Sequence, residues 1–181
     1  VPMSAAQRRL WLAHTLDLRS TAYHFPLVIA LDGVVDVEAL TVALADVVDR
    51  HEALRTVFDE VDGLPVQRIL DGVRPAVDVV EATPASDVSA AVAEALRTPF
   101  DLRRDIPLRA RVIHTEGATV LVVVLHHITT DEWSDRPFLT DLLAAYTARL
   151  AGDPSPLTPL PVQYADYTLW HAELLGDARD E

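Results

Sequence analysis

Ala118-Thr119-Val120-Leu121-Val122-Val123-Val124-Leu125, running directly into His126-His127-Ile128-Thr129-Thr130-Asp131, is the stretch on which the fold turns. Its apolar part is strand-sized and has no polar alternation, the pattern of a strand buried on both faces. The end of that strand delivers two histidines and a carboxylate. Histidine is the side chain best placed to exchange protons near neutral pH, and a buried strand is a rigid mount for one. The question is whether the pair handles protons, binds a metal or packs.

Outward from this run, the chain alternates strands and helices without strict βαβ order. Ser4 is placed to cap a helix carrying Leu10, Trp11 and His14. Tyr23 to Leu31 reads as a strand, with Phe25-Pro26-Leu27-Val28-Ile29-Ala30-Leu31 closed by Asp32-Gly33, and Pro26 points to an edge or strand-start position. Asp36 caps a helix whose Val37, Leu40, Leu44, Val47 and Val48 share one face. Runs 54–61 and 64–70 flank Asp62-Gly63, a strong hairpin signal. A short strand at 76–80, a helix from Ser86 to Leu96 and a strand at 108–114 precede the central run. After the histidines a helix is expected from about Asp135 to Leu150, with Leu139, Leu142, Leu143, Tyr146 and Leu150 on its apolar side. Pro154, Pro156, Pro159 and Pro161 stiffen a connector over 153–161, before a last helix from about Val162 to Leu175. The fold class is α/β: helices packed on a mixed, mostly antiparallel sheet.

Composition narrows the function classes. The 181 residues carry a net charge of −13, with 15 basic residues, all arginine. Such a surface repels phosphate backbones and anionic lipid, so no nucleic-acid or membrane partner is expected. No run reaches membrane-spanning length, and Val1-Pro2-Met3-Ser4 has no secretory character. There are no cysteines, hence no disulfide framework or thiolate chemistry, which fits a cytoplasmic location. Without an initiator Met, and ending on Gly176-Asp177-Ala178-Arg179-Asp180-Glu181, the chain reads as cut from something longer.

Successive strand residues face opposite sides of a sheet, so His126 and His127 diverge and do not share a metal. One histidine faces a reactive surface while the other packs, or both are satisfied core residues. Asp131 orients a histidine, holds the loop or caps the next helix. Arg50-His51-Glu52-Ala53-Leu54-Arg55-Thr56 is either a solvated helix end or a junction whose Arg55 points inward towards a buried acid, with Asp131 as a candidate. Tyr164, Tyr167 and Trp170 are read as the apolar face of a helix packing on a lobe, ahead of a recognition surface. No Gly-rich phosphate loop or nucleophile elbow is present.

Taken together, Ser4-Ala5-Ala6-Gln7-Arg8-Arg9-Leu10-Trp11, the Arg50–Phe58 stretch, His126-His127 through Asp131 with Trp133-Ser134, and Tyr164-Ala165-Asp166-Tyr167-Thr168-Leu169-Trp170 resemble, in order, four motifs of the condensation domains of non-ribosomal peptide synthetases. Pro99-Phe100-Asp101-Leu102 and Pro107-Leu108-Arg109 have the same look. The resemblance implies a chloramphenicol-acetyltransferase-like fold and about half of a domain: an N-terminal lobe over 1–181, whose C-terminal lobe completes a tunnel. It implies amide-bond formation between a thioester donor and an amine acceptor. Both arrive on 4'-phosphopantetheine arms of upstream and downstream carrier proteins, beside an adenylation domain. No cofactor, metal or covalent enzyme intermediate is implied.

By the same resemblance His127 is the catalytic residue, as general base or as positioner of the amine. His126 is structural, and Asp131 holds the loop by an ion pair with Arg55. Glu132, Trp133 and Ser134 are expected along the substrate tunnel. Glu132 stands where the family usually has Gly, which raises the question of a positive φ there. Two alternatives stay open: a non-catalytic platform that recruits assembly-line partners, and an epimerising relative. The cyclising type replaces the histidines with acidic residues, which this chain does not do.

Overall fold

The computed structural model describes residues 1–33, 35–82 and 85–175. The terminal stretch read as interrupted, 176–181, lies outside them. Four strands form one sheet: β1 (His24–Asp32), β4 (Ala76–Glu81), β5 (Leu108–His114) and β6 (Ala118–His126), in the spatial order β1-β6-β5-β4. The apolar run of β6 is therefore central, as its lack of polar alternation requires. β1 and β5 flank it antiparallel, and β4 joins β5 in parallel. Pro26 sits on an edge strand, where its missing N–H breaks no interior ladder.

Period-two alternation along β6 divides the core. Leu121, Val123 and Leu125 point to one face. There they meet α2 (Val37–Arg50) through Leu40, Leu44, Val47 and Val48, and α4 (Asp135–Leu150) through Phe138, Leu142 and Ala145. Val122 and Val124 point to the other face. They pack with Trp11 of α1 (Ala5–Leu16), Ala95 of α3 (Ala85–Arg97), and Phe58, Phe100 and Leu102. Burial of these chains is the main stabilising term; truncating a fully enclosed residue such as Leu44 to Ala would cost about 2–5 kcal/mol.

The expected caps are formed. The Ser4 hydroxyl accepts from the Gln7 N–H at 3.1 Å while Gln7 Oε1 accepts from the Ser4 N–H at 2.8 Å, a reciprocal capping box. Asp36 Oδ1 accepts from the Ala39 N–H at 2.9 Å. The hairpin of β2 (Thr56–Val61) and β3 (Leu64–Ile69) turns at Asp62 (φ 53°) and Gly63 (φ 77°), the doubly left-handed turn that Asp-Gly favours.

Three expectations require correction. The strand expected from Leu54 begins at Thr56, because Glu52–Arg55 forms a 3-10 turn that closes the end of α2. On α4 the buried residues are Phe138, Leu142 and Ala145, whereas Leu143 is 67% and Leu150 53% exposed. The face is set by the packing of α4 on α2, and hydrophobicity alone misplaces it. The last helix, α5 (Tyr164–Leu175), buries Ala165 and Thr168 and leaves Tyr167 and Trp170 outward. Its aromatic stripe is stacked on itself, with ring centroids 5.6 Å apart for Tyr164–Tyr167 and 6.0 Å for Tyr167–Trp170.

Candidate active site

The two histidines diverge as strand geometry requires. His126 ends β6 on the Val122–Val124 face and is 3% exposed. Its ring lies 6.0 Å from that of His14, 6.2 Å from Tyr23 and 6.1 Å from Phe100. The Ile128 N–H donates to His126 Nδ1 at 3.1 Å, so the ring proton sits on Nε2. Burial, and then the neighbouring His14, His24 and His127, push its pKa down to about 3. At neutral pH His126 is an uncharged packing residue that also fixes the turn after the strand.

His127 follows the opposite face. Its N–H donates to the Tyr23 carbonyl at 2.9 Å, anchoring it to the start of β1. Phe25 meets its ring edge-on with centroids 5.0 Å apart. His127 Nδ1 lies 3.2 Å from the Thr130 carbonyl oxygen. A carbonyl only accepts, so Nδ1 carries the proton and Nε2 keeps the lone pair. No partner among the described residues occupies that Nε2. His127 is among the residues lining a cleft of about 270 Å³, with Gln7 and Leu10 of α1, Asp131, Ser134 and Tyr164.

The loop that holds His127 is tied locally. Asp131 Oδ1 accepts from the Ser134 hydroxyl at 2.7 Å and from the Ser134 N–H at 3.1 Å; the Asp131 N–H returns a bond to the Ser134 hydroxyl at 3.3 Å. This reciprocal turn leads into α4. Arg55 takes no part in it. Its guanidinium donates to the Leu70 carbonyl at 2.6 Å and pairs with Asp71 at 2.9 Å and Glu52 at 3.6 Å. The Asp131–Arg55 ion pair implied by the resemblance is thus absent among the described residues. The 3-10 turn aims Arg55 at the end of β3. The long-range pairing of this motif belongs instead to Arg50 and His51, which grip Asp141 of α4, each at 2.7 Å.

Glu132 is exposed and lines neither the cleft beside His127 nor the neighbouring one. Its φ is not positive, since Asp62 is the one non-glycine residue with a positive φ among the described residues. A side chain is therefore unstrained where the family usually has Gly. Trp133 is 88% exposed at the edge of the second cleft, and Ser134 borders both. The structure thus brings together His127, Asp131 and Ser134, keeps His126 behind them, and leaves Arg55 apart.

Two cleft residues stood in the quoted motifs but were not read as site residues. Gln7 is 2% exposed and, besides closing the capping box, donates from Nε2 to Gln67 at 3.3 Å. The Tyr164 hydroxyl is 2.9 Å from that of Ser4, joining α5 to the start of α1 beside the cleft. Glutamine three residues after a capping serine is a readable signal for the first; nothing local marks the second. No group of three or more His, Asp or Glu among the described residues is arranged to hold a metal ion. Nor is any helix among them long and apolar enough to cross a membrane.

Comparison with known proteins adds to this geometry. A family model described as "Condensation domain" matches residues 1–181. A probable non-canonical nonribosomal peptide synthetase, CymA, of Salinispora arenicola is 51% identical over 181 residues, covering 99% of this chain and 2% of that protein. The isonitrile lipopeptide synthase of Mycobacterium tuberculosis is 47% identical, covering 99% and 7% respectively. Among solved structures, the X-domain in complex with OxyB from teicoplanin biosynthesis superposes with a TM-score of 0.91 at 39% identity, covering 99% of this chain and 39% of that one. The starter condensation domain of rhizomide synthetase RzmA has a TM-score of 0.85 at 21% identity, covering 97% and 44%, and shows the shared fold. That fold is the chloramphenicol-acetyltransferase-like one of condensation domains. Matched along its whole length by the family and about half identical to such synthetases, this chain belongs to the condensation-domain family of non-ribosomal peptide synthetases.

Proposed function

We propose that residues 1–181 act as the histidine-bearing N-terminal lobe of a condensation domain, which joins a carrier-bound aminoacyl or peptidyl thioester to a carrier-bound acceptor amine. The observation that carries this reading is the His127 imidazole, bonded to the Thr130 carbonyl with no partner on Nε2 among the described residues, in a residue that lines a cleft. The amine nitrogen attacks the thioester carbonyl; the C–N bond forms as the C–S bond breaks. The proton lost by the nitrogen goes to His127 Nε2 and from there to the departing thiolate. An imidazole nitrogen with a free lone pair can both take up that proton and return it. A reactive thioester also gains from positioning alone, so His127 orients the amine as well as accepting its proton.

His126 and the Asp131–Ser134 turn set the orientation of His127 without touching the reacting atoms. Substrates come on 4'-phosphopantetheine arms of donor and acceptor carrier proteins, in the cytoplasm, with a C-terminal lobe closing the tunnel and an adenylation domain nearby. In the synthetase that carries this chain, His127→Ala should lower single-turnover product formation from loaded carriers by about 10²-fold or more. Unchanged turnover overturns the catalytic assignment. The 181 residues alone should give little product, and robust turnover by them overturns the half-tunnel reading.

A second reading is favoured by one specific observation. The solved X-domain, 39% identical to this chain, is in complex with OxyB. A platform role of that kind predicts a turnover that is absent in the parent synthetase and indifferent to His127.

A further inference from the structure

A second cleft, of about 240 Å³, shares part of its lining with the first and has no part in the reaction described above. Thr129, Thr130 and Ser134 border both clefts, so an occupant of the second lies against the loop that follows His127. Its walls are mainly apolar, from Leu54, Leu125, Pro137 and Phe138, with Trp133 at the rim. One ionisable side chain faces it, His51.

His51 is mounted more firmly than a solvated helix end requires. Its N–H donates to the Val47 carbonyl at 3.0 Å. Gln163 clamps the residues on either side, donating to the Arg50 carbonyl at 2.9 Å and accepting from the Glu52 N–H at 3.1 Å. Asp141 orients the ring: Oδ2 lies 2.7 Å from His51 Nε2, while Oδ1 takes Arg50 at 2.7 Å. The carboxylate accepts, so Nε2 holds a proton, and in the neutral ring Nδ1 presents a lone pair. Among the described residues Nδ1 has no hydrogen-bond partner. A mainly apolar pocket with one directed polar group is the usual composition of a small-molecule subsite.

The chemistry of the occupant follows from these walls. No carboxylate lines the cleft, so a cationic group finds no counter-charge; Arg50 is already engaged by Asp141, so an anion finds none either. What fits is a neutral hydrogen-bond donor on a flat apolar body, flanked by Phe138 and Trp133. We propose that this cleft is a side-chain pocket for one of the two substrates, that it takes an aromatic group bearing a hydroxyl, of which a phenol is the simplest case, and that His51 is its specificity-determining residue. The assignment of the occupant as a substrate side chain rests on the condensation reading above.

The test needs no turnover. The 181-residue chain is titrated with p-cresol and, separately, with toluene, following backbone amide and His51 imidazole resonances by NMR. p-Cresol should bind about tenfold more tightly, the worth of one net hydrogen bond, and should shift the His51 ring nitrogens. His51→Leu should bring the two affinities together. His51→Asn, whose Oδ1 accepts near the position of Nδ1, should restore part of the preference and serves if the leucine variant does not fold. Equal affinities in the unaltered chain, or a preference that survives His51→Leu, would overturn the pocket. A synthetase indifferent to His127→Ala whose chain still prefers p-cresol would sink the condensation reading and leave the pocket standing.

Discussion

Lowering the pH from 7 to 5 should weaken the fold through His126, and the amount can be worked out. An unfolded chain lets this imidazole titrate near 6.5, whereas burial and the neighbouring histidines hold it at about 3 in the folded protein. Between those values the unfolded state binds the extra proton, so stability rises with pH; it is complete above about 6.5 and is lost as pH falls towards 3. At pH 5 the loss spans roughly 1.5 pH units at about 1.36 kcal/mol each, about 2 kcal/mol from this residue. For a chain of this size that lowers Tm by roughly 4–8 °C. Burial depresses His14 and His24 as well, and Arg103 and Arg109 reinforce this, while Asp101 opposes it at His14 and the Leu96 carbonyl opposes it at His24. The assay is urea unfolding from pH 5 to 7 on the unaltered chain and on His126→Asn, whose Oδ1 still accepts from Ile128 but does not titrate. The variant's stability should change less across this range, by about 2 kcal/mol, whatever its absolute value. Parallel curves would refute the buried, neutral His126.

Four further outcomes are expected. Asp131→Ala should cost about 1 kcal/mol through loss of the Ser134 turn, read by denaturant melts, and a double-mutant cycle of Asp131 with Arg55 should show no coupling, since the two do not touch. By contrast, a cycle of Arg50 with Asp141 should couple by about 1 kcal/mol or more, the pair being mostly withdrawn from solvent. Glu132→Gly should lower stability by about 0.5–1 kcal/mol, the ordinary entropy cost of glycine; a gain would mean that the backbone there is strained.

Much of the framework was legible because local chemistry decides it. The unbroken apolar run marked β6 as a buried strand, Pro26 an edge or strand-start position, Ser4 and Asp36 the starts of two helices, and Asp62-Gly63 a hairpin turn. The opposite facing of His126 and His127 followed from strand periodicity alone. What the sequence hid depends on long-range direction. Arg55 leaves a 3-10 turn that no periodicity announces, so its pairing with Asp71 rather than Asp131 was not readable. The partnership of His51 with Asp141 spans 90 positions. The exposed side of α4 is set by how α2 lies against it, and the outward aromatic stripe of α5 by the burial of Ala165 and Thr168 instead.

Two adjacent histidines are held as opposite tautomers of the neutral ring, one to pack and one to accept a proton. Imidazole nitrogen NMR on the chain at neutral pH reads this directly. His126 should carry its proton on Nε2, with Nδ1 a lone-pair nitrogen, and His127 should carry its proton on Nδ1, with Nε2 free. The same tautomer on both rings, or a proton on His127 Nε2, would contradict it.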